Sequence, residues 1–159
     1  MRIHFMRFIF ALILIAIASS PAAAGRDHNI SSGQKVYVPV YSHIYQGIKG
    51  KPYNLSALLS IRNVDIKNSI TVTSVLYYND HGEMMKSFLE QPVVIPPMGT
   101  KEIYIPERDA NAGSGANFTV KWEGGTKVSV PIIQAVMIGT ASTQGISFVC
   151  DGVVIEDKE

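Results

Sequence analysis

Apolar and polar residues alternate with a period of two along most of this chain, which is the pattern of half-buried β-strands. The first alternating segment covers residues 36 to 45 and the second covers residues 55 to 62. A third, rich in β-branched residues, covers residues 70 to 78, and the turn-forming sequence of residues 79 to 82 follows it. Residues 84 to 89 are then predicted to return as the hairpin partner of the third strand.

The second half of the chain continues the same pattern. Short strands are predicted at residues 93 to 95, 101 to 105 and 146 to 150, and a clear half-buried strand at residues 117 to 123 ends at Gly124-Gly125. Residues 128 to 138 are more uniformly apolar, which predicts a central strand covered on both faces. Since no segment shows a capped helical period, the pattern predicts an all-β fold, a single antiparallel β-sandwich of immunoglobulin-like type, with Trp122 as its large core residue.

A different pattern precedes the first strand. Arg2, His4 and Arg7 give a basic start, an apolar run follows from Phe8 to Ala18, and small residues end at Ala24. This is the composition of an export signal, so residues 1–24 are predicted to be a signal peptide and the protein to be periplasmic or secreted. Residues 25–33 are interpreted as a disordered lead-in, 34–155 as the β-sandwich domain and 156–159 as a frayed acidic tail.

Composition restricts the partners of the processed chain. Of the 14 Lys and Arg residues, Arg2 and Arg7 leave with the signal, so the remaining 12 face 13 Asp and Glu residues. This near-neutral balance, without a basic cluster, argues against nucleic acid and offers no polybasic patch for anionic lipid. No later segment reaches the ~20 apolar residues that a spanning helix needs, so no membrane insertion is expected after signal cleavage. The oligomeric state stays open.

The only cysteine, Cys150, excludes an intrachain disulfide. A lone thiol can be a redox nucleophile or a metal ligand, but it is also one of the most commonly buried side chains. Cys150 shares its predicted strand face with Ile146 and Phe148, which favours a buried hydrophobic role.

Several short segments together carry a family resemblance. The most specific is Gly113-Ser114-Gly115-Ala116-Asn117-Phe118, and the others are residues 36–45, 59–63, 77–78 with Gly82, 107–109, Trp122 and 145–148. With these segments the chain resembles the bacterial domain of unknown function family numbered 3124, over essentially all of residues 34 to 155. The resemblance implies an exported bacterial protein, usually of one domain. It implies no activity, cofactor or catalytic residue.

The first strand is the leading candidate for a binding surface. Tyr37, Tyr41, His43 and Tyr45 fall at even spacing, so in an extended chain they project from one face. Pro39 cannot donate to a sheet ladder, which favours an edge position for this strand. Such an edge could stack sugar rings or accept a strand from a partner. The alternative is that the aromatic residues simply pack against a neighbouring loop or sheet.

The second candidate is the loop from Glu107 to Asn117, where Asp109, Ser114 and Asn117 supply oxygen atoms. Its alternation resembles the start of a calcium loop, but Ser114 and Val120 stand where that loop needs a glycine and a bidentate acid. The alternative is an ordinary glycine-rich connection whose polar side chains bond the backbone.

The remaining residues give little support for chemistry. The histidines lack partners at ligand spacing, the methionines form no copper-binding pattern, and no Gly-x-Ser-x-Gly segment is present. We therefore expect no catalytic residue, no metal ligand and no cofactor. The sequence favours a non-catalytic binding or structural module that recognises an envelope protein or glycan, with a periplasmic carrier of a metal or small ligand as the alternative.

Overall fold

The structure, a computed structural model, describes residues 29–140 and 145–158. The predicted signal peptide, residues 1–24, lies outside the described residues. No helix occurs in the described ranges, which contain twelve strands: β1 (Ile30–Pro39), β2 (His43–Gln46), β3 (Lys51–Asn54), β4 (Ser56–Arg62), β5 (Ile70–Tyr78), β6 (Met84–Ser87), β7 (Val93–Ile95), β8 (Thr100–Ile105), β9 (Asn117–Ser129), β10 (Ile132–Gly139), β11 (Ile146–Asp151) and β12 (Val153–Asp157).

The strands form two main sheets and one separate hairpin, and every pairing is antiparallel. The larger sheet has the order β12-β1-β9-β5-β6, with β7 also paired to β5, and the smaller sheet has the order β11-β10-β4-β8. The hairpin consists of β2 and β3. The predicted all-β antiparallel fold is confirmed, while the immunoglobulin-like part of that prediction stays a prediction.

The core lies between the two sheets and follows the alternation of the sequence. In β9, the inward-facing Phe118, Val120 and Trp122 are fully buried, and the smaller sheet contributes Leu59 and Ile61 from β4. These side chains belong to one hydrophobic cluster. The prediction that Trp122 is the large core residue is therefore confirmed. Cys150, Ile146 and Phe148 are half-buried and pack against this core, as their shared strand face predicts.

The C-terminal segment passes from one sheet to the other. β11 pairs with β10 in the smaller sheet, and β12 pairs with β1 in the larger one. Gly152 joins them, and its N–H donates to the Ile133 carbonyl at 2.8 Å. A side chain at position 152 would collide with Val36 and with that carbonyl. Glycine is therefore required sterically where one extended segment changes sheets.

Both ends of the predicted domain differ from expectation. The segment 25–33 is not a disordered lead-in throughout, because β1 begins at Ile30 and Ser31 is buried, with its hydroxyl donating to Asp157 at 2.6 Å. The acidic tail, 156–159, does not fray at its start either. Glu156 and Asp157 belong to β12, and Lys35 bonds Glu156 at 3.0 Å. Contacts between β1 and β12 thus order these two segments.

Three predicted strands also change. The first strand ends at Pro39 and lies between β9 and β12, so the predicted edge position is wrong. Gly124-Gly125 does not reverse the chain, because β9 continues through it with a shift in its register to β1. The predicted strand 128 to 138 divides into the end of β9 and β10, whose outward-facing Ile132 and Ile138 are exposed rather than covered.

Candidate binding surfaces

Three connections meet at one end of the sandwich, and we call this region the loop end. It consists of residues 40–42 between β1 and β2, residues 79–83 between β5 and β6, and residues 106–116 between β8 and β9, together with His43 and Asn117, which begin β2 and β9. Backbone hydrogen bonds tie them together: Val40 donates to Ala116 at 2.9 Å, Ser42 to Gly113 at 3.1 Å, and Asp80 to Ala112 at 3.0 Å. The long connection is therefore held to both of its neighbours.

Close packing at Gly113 explains part of the glycine-rich sequence in this connection. Its φ angle of 82° lies in the left-handed region, which favours glycine. A Cβ atom at this position would also overlap the carboxylate of Asp80. Ala112 and Ala116, on either side, are almost fully buried. The connection therefore packs on the 79–83 turn at a distance that only small residues allow.

A polar cluster lies beneath the loop end. The buried side chains of Ser42 and Tyr77 share a hydrogen bond of 3.2 Å between their hydroxyl oxygens. Burial raises the pKa of the Tyr77 hydroxyl, the hydrogen bond to Ser42 acts in the opposite direction, and the negative charge of Asp109 raises it further. The Tyr77 hydroxyl therefore stays protonated at neutral pH, and its hydrogen bond to Ser42 links the 40–42 connection to β5.

The structure brings five of the seven predicted site residues to the loop end. Tyr41 lies in the 40–42 connection, His43 begins β2, Asp109 and Ser114 lie in the 106–116 connection, and Asn117 begins β9. Asn117 is paired on one side with Pro39 and on the other with Tyr78. The two stretches singled out in the sequence, far apart along the chain, thus adjoin in space.

The predicted continuous row of aromatic residues does not form. Tyr37 is half-buried near the C-terminal end of β1, on the strand face opposite to the buried Val36 and Val38. Tyr41 packs edge-on against Phe148, with ring centroids 5.7 Å apart. His43 and Tyr45 form a separate pair, 5.2 Å apart, on the hairpin. The chain bends after Pro39, so even spacing no longer places these four side chains on one face.

The β2–β3 hairpin carries exposed residues that sequence reasoning did not select. All residues from Tyr45 to Pro52 are exposed, and Ile48 at the turn is as exposed as in an extended chain. Lys49 and Lys51 lie beside it. The sequence feature that could have indicated this exposed turn is Gly-Ile-Lys-Gly at residues 47–50, in which an apolar residue lies between two turn-forming glycines.

The described residues give no indication of a metal centre or a membrane span. In residues 29–140 and 145–158, no three His, Cys, Asp or Glu side chains approach closely enough to hold an ion together. No helix in the same part of the chain has the length and apolar character needed to cross a bilayer. Burial raises the pKa of the Cys150 thiol, and the nearby charge of Asp151 raises it further, so the thiolate is disfavoured.

The architecture and this surface define a β-rich protein with two antiparallel sheets, in which backbone hydrogen bonds hold three connections together at one end. The chain belongs to DUF3124, described as a family of proteins of unknown function, which matches it over residues 33–155. No curated protein matches the chain. A crystal structure of Thermotoga maritima protein 1070 is similar to it with a TM-score of 0.45 and 12% identity, covering 79% of this chain and 97% of that one.

Proposed function

We propose that this protein is an exported, non-catalytic binding module and that the loop end recognises an envelope protein or a glycan. The observation that carries this proposal is the set of backbone hydrogen bonds that holds three separate connections in one arrangement. A surface already fixed in shape loses little conformational entropy when it binds a partner. Binding residues are often located on loops supported by a rigid β-scaffold.

The chemistry of the loop end suits a polar partner. It presents Asp109, Ser114 and Asn117, together with the exposed side chains of Arg108 and Asn111. These side chains include hydrogen-bond donors, hydrogen-bond acceptors, a positive charge and a negative charge. Such groups can recognise hydroxyl-rich or peptide surfaces. The aromatic pair of His43 and Tyr45 adjoins them on β2 and can add an apolar stacking contact.

A pull-down tests this proposal with two matched double variants. The processed protein is immobilised and incubated with solubilised envelope proteins and, separately, with a glycan array. Arg108→Ala with Asn111→Ala removes two exposed side chains from the loop end, whereas Lys67→Ala with Ser69→Ala removes two from the opposite end. We expect the first variant to lose capture of a defined partner and the second to retain it, at unchanged melting temperature for both.

Two results would reject the proposal. Equal capture by both double variants would remove the loop end from recognition. Recovery of a stoichiometric transition metal or small ligand with the purified protein would instead favour the carrier function. Two further substitutions, Tyr41→Ala and Tyr45→Ala, distinguish a role in binding from a role in packing. Tyr41 packs against Phe148 of β11, whereas Tyr45 pairs with His43 of its own strand, β2.

A further inference from the structure

The outermost part of the β2–β3 hairpin projects from the body of the protein. We call residues 45–52 the hairpin tip. All eight are exposed, whereas the preceding pair in the hairpin, Ile44 and Tyr53, packs against the core. β2 and β3 pair with each other and belong to neither main sheet. The tip therefore stands free of the sandwich.

The turn at the centre of the hairpin tip presents one apolar side chain to solvent. Gly47 and Gly50 both have positive φ angles, 69° and 56°, and the Gly50 N–H donates to the Gly47 carbonyl at 3.1 Å. Ile48 lies between them with a relative exposure of 109%. Tyr45, at the base of the tip, is 62% exposed. Moving the Ile48 side chain from water into an apolar environment would be favourable, because its apolar surface would no longer be hydrated.

The charges of the hairpin tip have one sign. Lys49 and Lys51 both follow Ile48 in the sequence, which contains no acidic residue between Asp27 and Asp65. The acidic side chains of the loop end belong to other connections, at residues 80, 83, 107 and 109. The tip is thus a small cationic and apolar projection. Sequence reasoning searched for clustered basic residues and missed it, because the exposure of Ile48 is visible only in the fold.

We propose that the hairpin tip docks onto the surface of a membrane that contains anionic phospholipid. Lysine binds phosphate as a compact point charge, tyrosine favours the membrane interface, and a single aliphatic side chain can enter the headgroup boundary without a shaped pocket. The contact is peripheral, with no segment spanning the bilayer. This inference goes beyond the proposed function, because it concerns a different surface and does not require the loop end.

Vesicle sedimentation at low ionic strength measures this docking. The processed protein is mixed with vesicles of phosphatidylglycerol and phosphatidylcholine, or with vesicles of phosphatidylcholine alone. Each lysine near an anionic surface contributes about a fivefold factor in binding. We therefore expect K49Q with K51Q to reduce binding to the anionic vesicles by roughly 25-fold, on the basis of two such factors. Raising the salt concentration should have a similar effect, because it screens the charges.

The apolar part of the contact has its own matched control. Ile66 and Lys67 form another exposed pair, at the opposite end of the sandwich, and Ile66 is 74% exposed. Ile48→Ser should weaken vesicle binding about tenfold, since a buried aliphatic side chain is lost. Ile66→Ser and Lys67→Gln should leave it within twofold. Every variant has the same N-terminus, so a retained leader cannot produce a difference between them.

The outcomes separate this proposal from the proposed function. Equal binding to both vesicle compositions, no binding of the wild-type protein, or equal losses in the Ile48 and Ile66 variants would each overturn lipid docking. Dimerisation that Ile48→Ser abolishes would also overturn it, by assigning the tip to a second copy. Loss of partner capture in the Arg108 and Asn111 variant concerns the loop end alone and leaves the lipid result unaffected.

Discussion

Gly152 offers the sharpest test of how the two sheets are joined. We predict that Gly152→Ala destabilises the protein, although replacing a strand glycine by alanine ordinarily reduces the entropy of the unfolded chain. The added Cβ atom would lie 2.6 Å from Val36 Cγ1 and 2.8 Å from the Ile133 carbonyl oxygen. Carbon atoms in contact prefer separations of about 3.5 to 4.0 Å.

The expected loss of stability depends on how far the groups around position 152 can shift to make room for the added Cβ atom. Val36 is buried and β-branched, so its side chain has few alternative rotamers, and the Ile133 carbonyl accepts the Gly152 N–H. Overpacking of this kind costs about 1 to 3 kcal/mol. The entropic gain from removing a glycine offsets about 0.4 to 1 kcal/mol. We expect a net loss of about 1.3 kcal/mol in the free energy of unfolding, which is the difference between the midpoints of these two ranges.

Equilibrium unfolding in urea provides the measurement. Trp122 is the only tryptophan in the chain and is fully buried, so its fluorescence reports the loss of the core. The matched control is Gly125→Ala in β9, because a Cβ atom at that position meets nothing within 4 Å. The control should be neutral or slightly stabilising. If both variants unfolded at the same urea concentration, the close packing described at Gly152 would be refuted.

Three further predictions concern the core and one loop. Trp122→Ala should lower the free energy of unfolding by about 3 to 5 kcal/mol through lost burial and a residual cavity, and a urea curve followed by circular dichroism that is unchanged would contradict its core position. Cys150 should react slowly with a thiol reagent in the native protein and rapidly in denaturant, because burial raises the pKa of its thiol. Asp65 accepts hydrogen bonds from the backbone N–H groups of Lys67, Asn68 and Ser129, which lower its pKa from 3.8 to about 2. Since the folded state favours the ionised carboxylate, this stabilisation is complete above pH 3.8 and is lost as the pH falls through 2. Urea midpoints measured from pH 5 to pH 2 should therefore fall more steeply in the wild-type protein than in Asp65→Asn, and parallel curves would contradict the assignment.

Local alternation was sufficient to predict strands whose two faces have different surroundings. The strand predicted at residues 70 to 78 coincides with β5. For residues 117 to 123, the predicted inward-facing side chains, including Trp122, are the buried ones. These strands pack one face on the core, so the period of two records their environment directly. β12 was missed because its three apolar residues precede four charged ones in the sequence, and its order comes from pairing with the distant β1.

The candidate surface was predictable only in parts. The sequence indicated Asp109, Ser114 and Asn117 as one group and the aromatic residues from Tyr37 to Tyr45 as another. Alternation continues across residues 40 to 42, so it gives no sign that the chain bends there. The bend depends on backbone bonds from Val40 and Ser42 to a connection about 70 residues later. Tertiary contacts of that kind leave no local periodic signal.

The position of β1 has a consequence for when this protein can acquire its structure. β1 is the first of the described strands, yet its neighbours are β9 and β12, and β12 is the last of them. A nascent polypeptide therefore cannot complete the larger sheet until β12 has been synthesised. Pairing strands that lie so far apart in the sequence requires the closure of long loops, which slows folding.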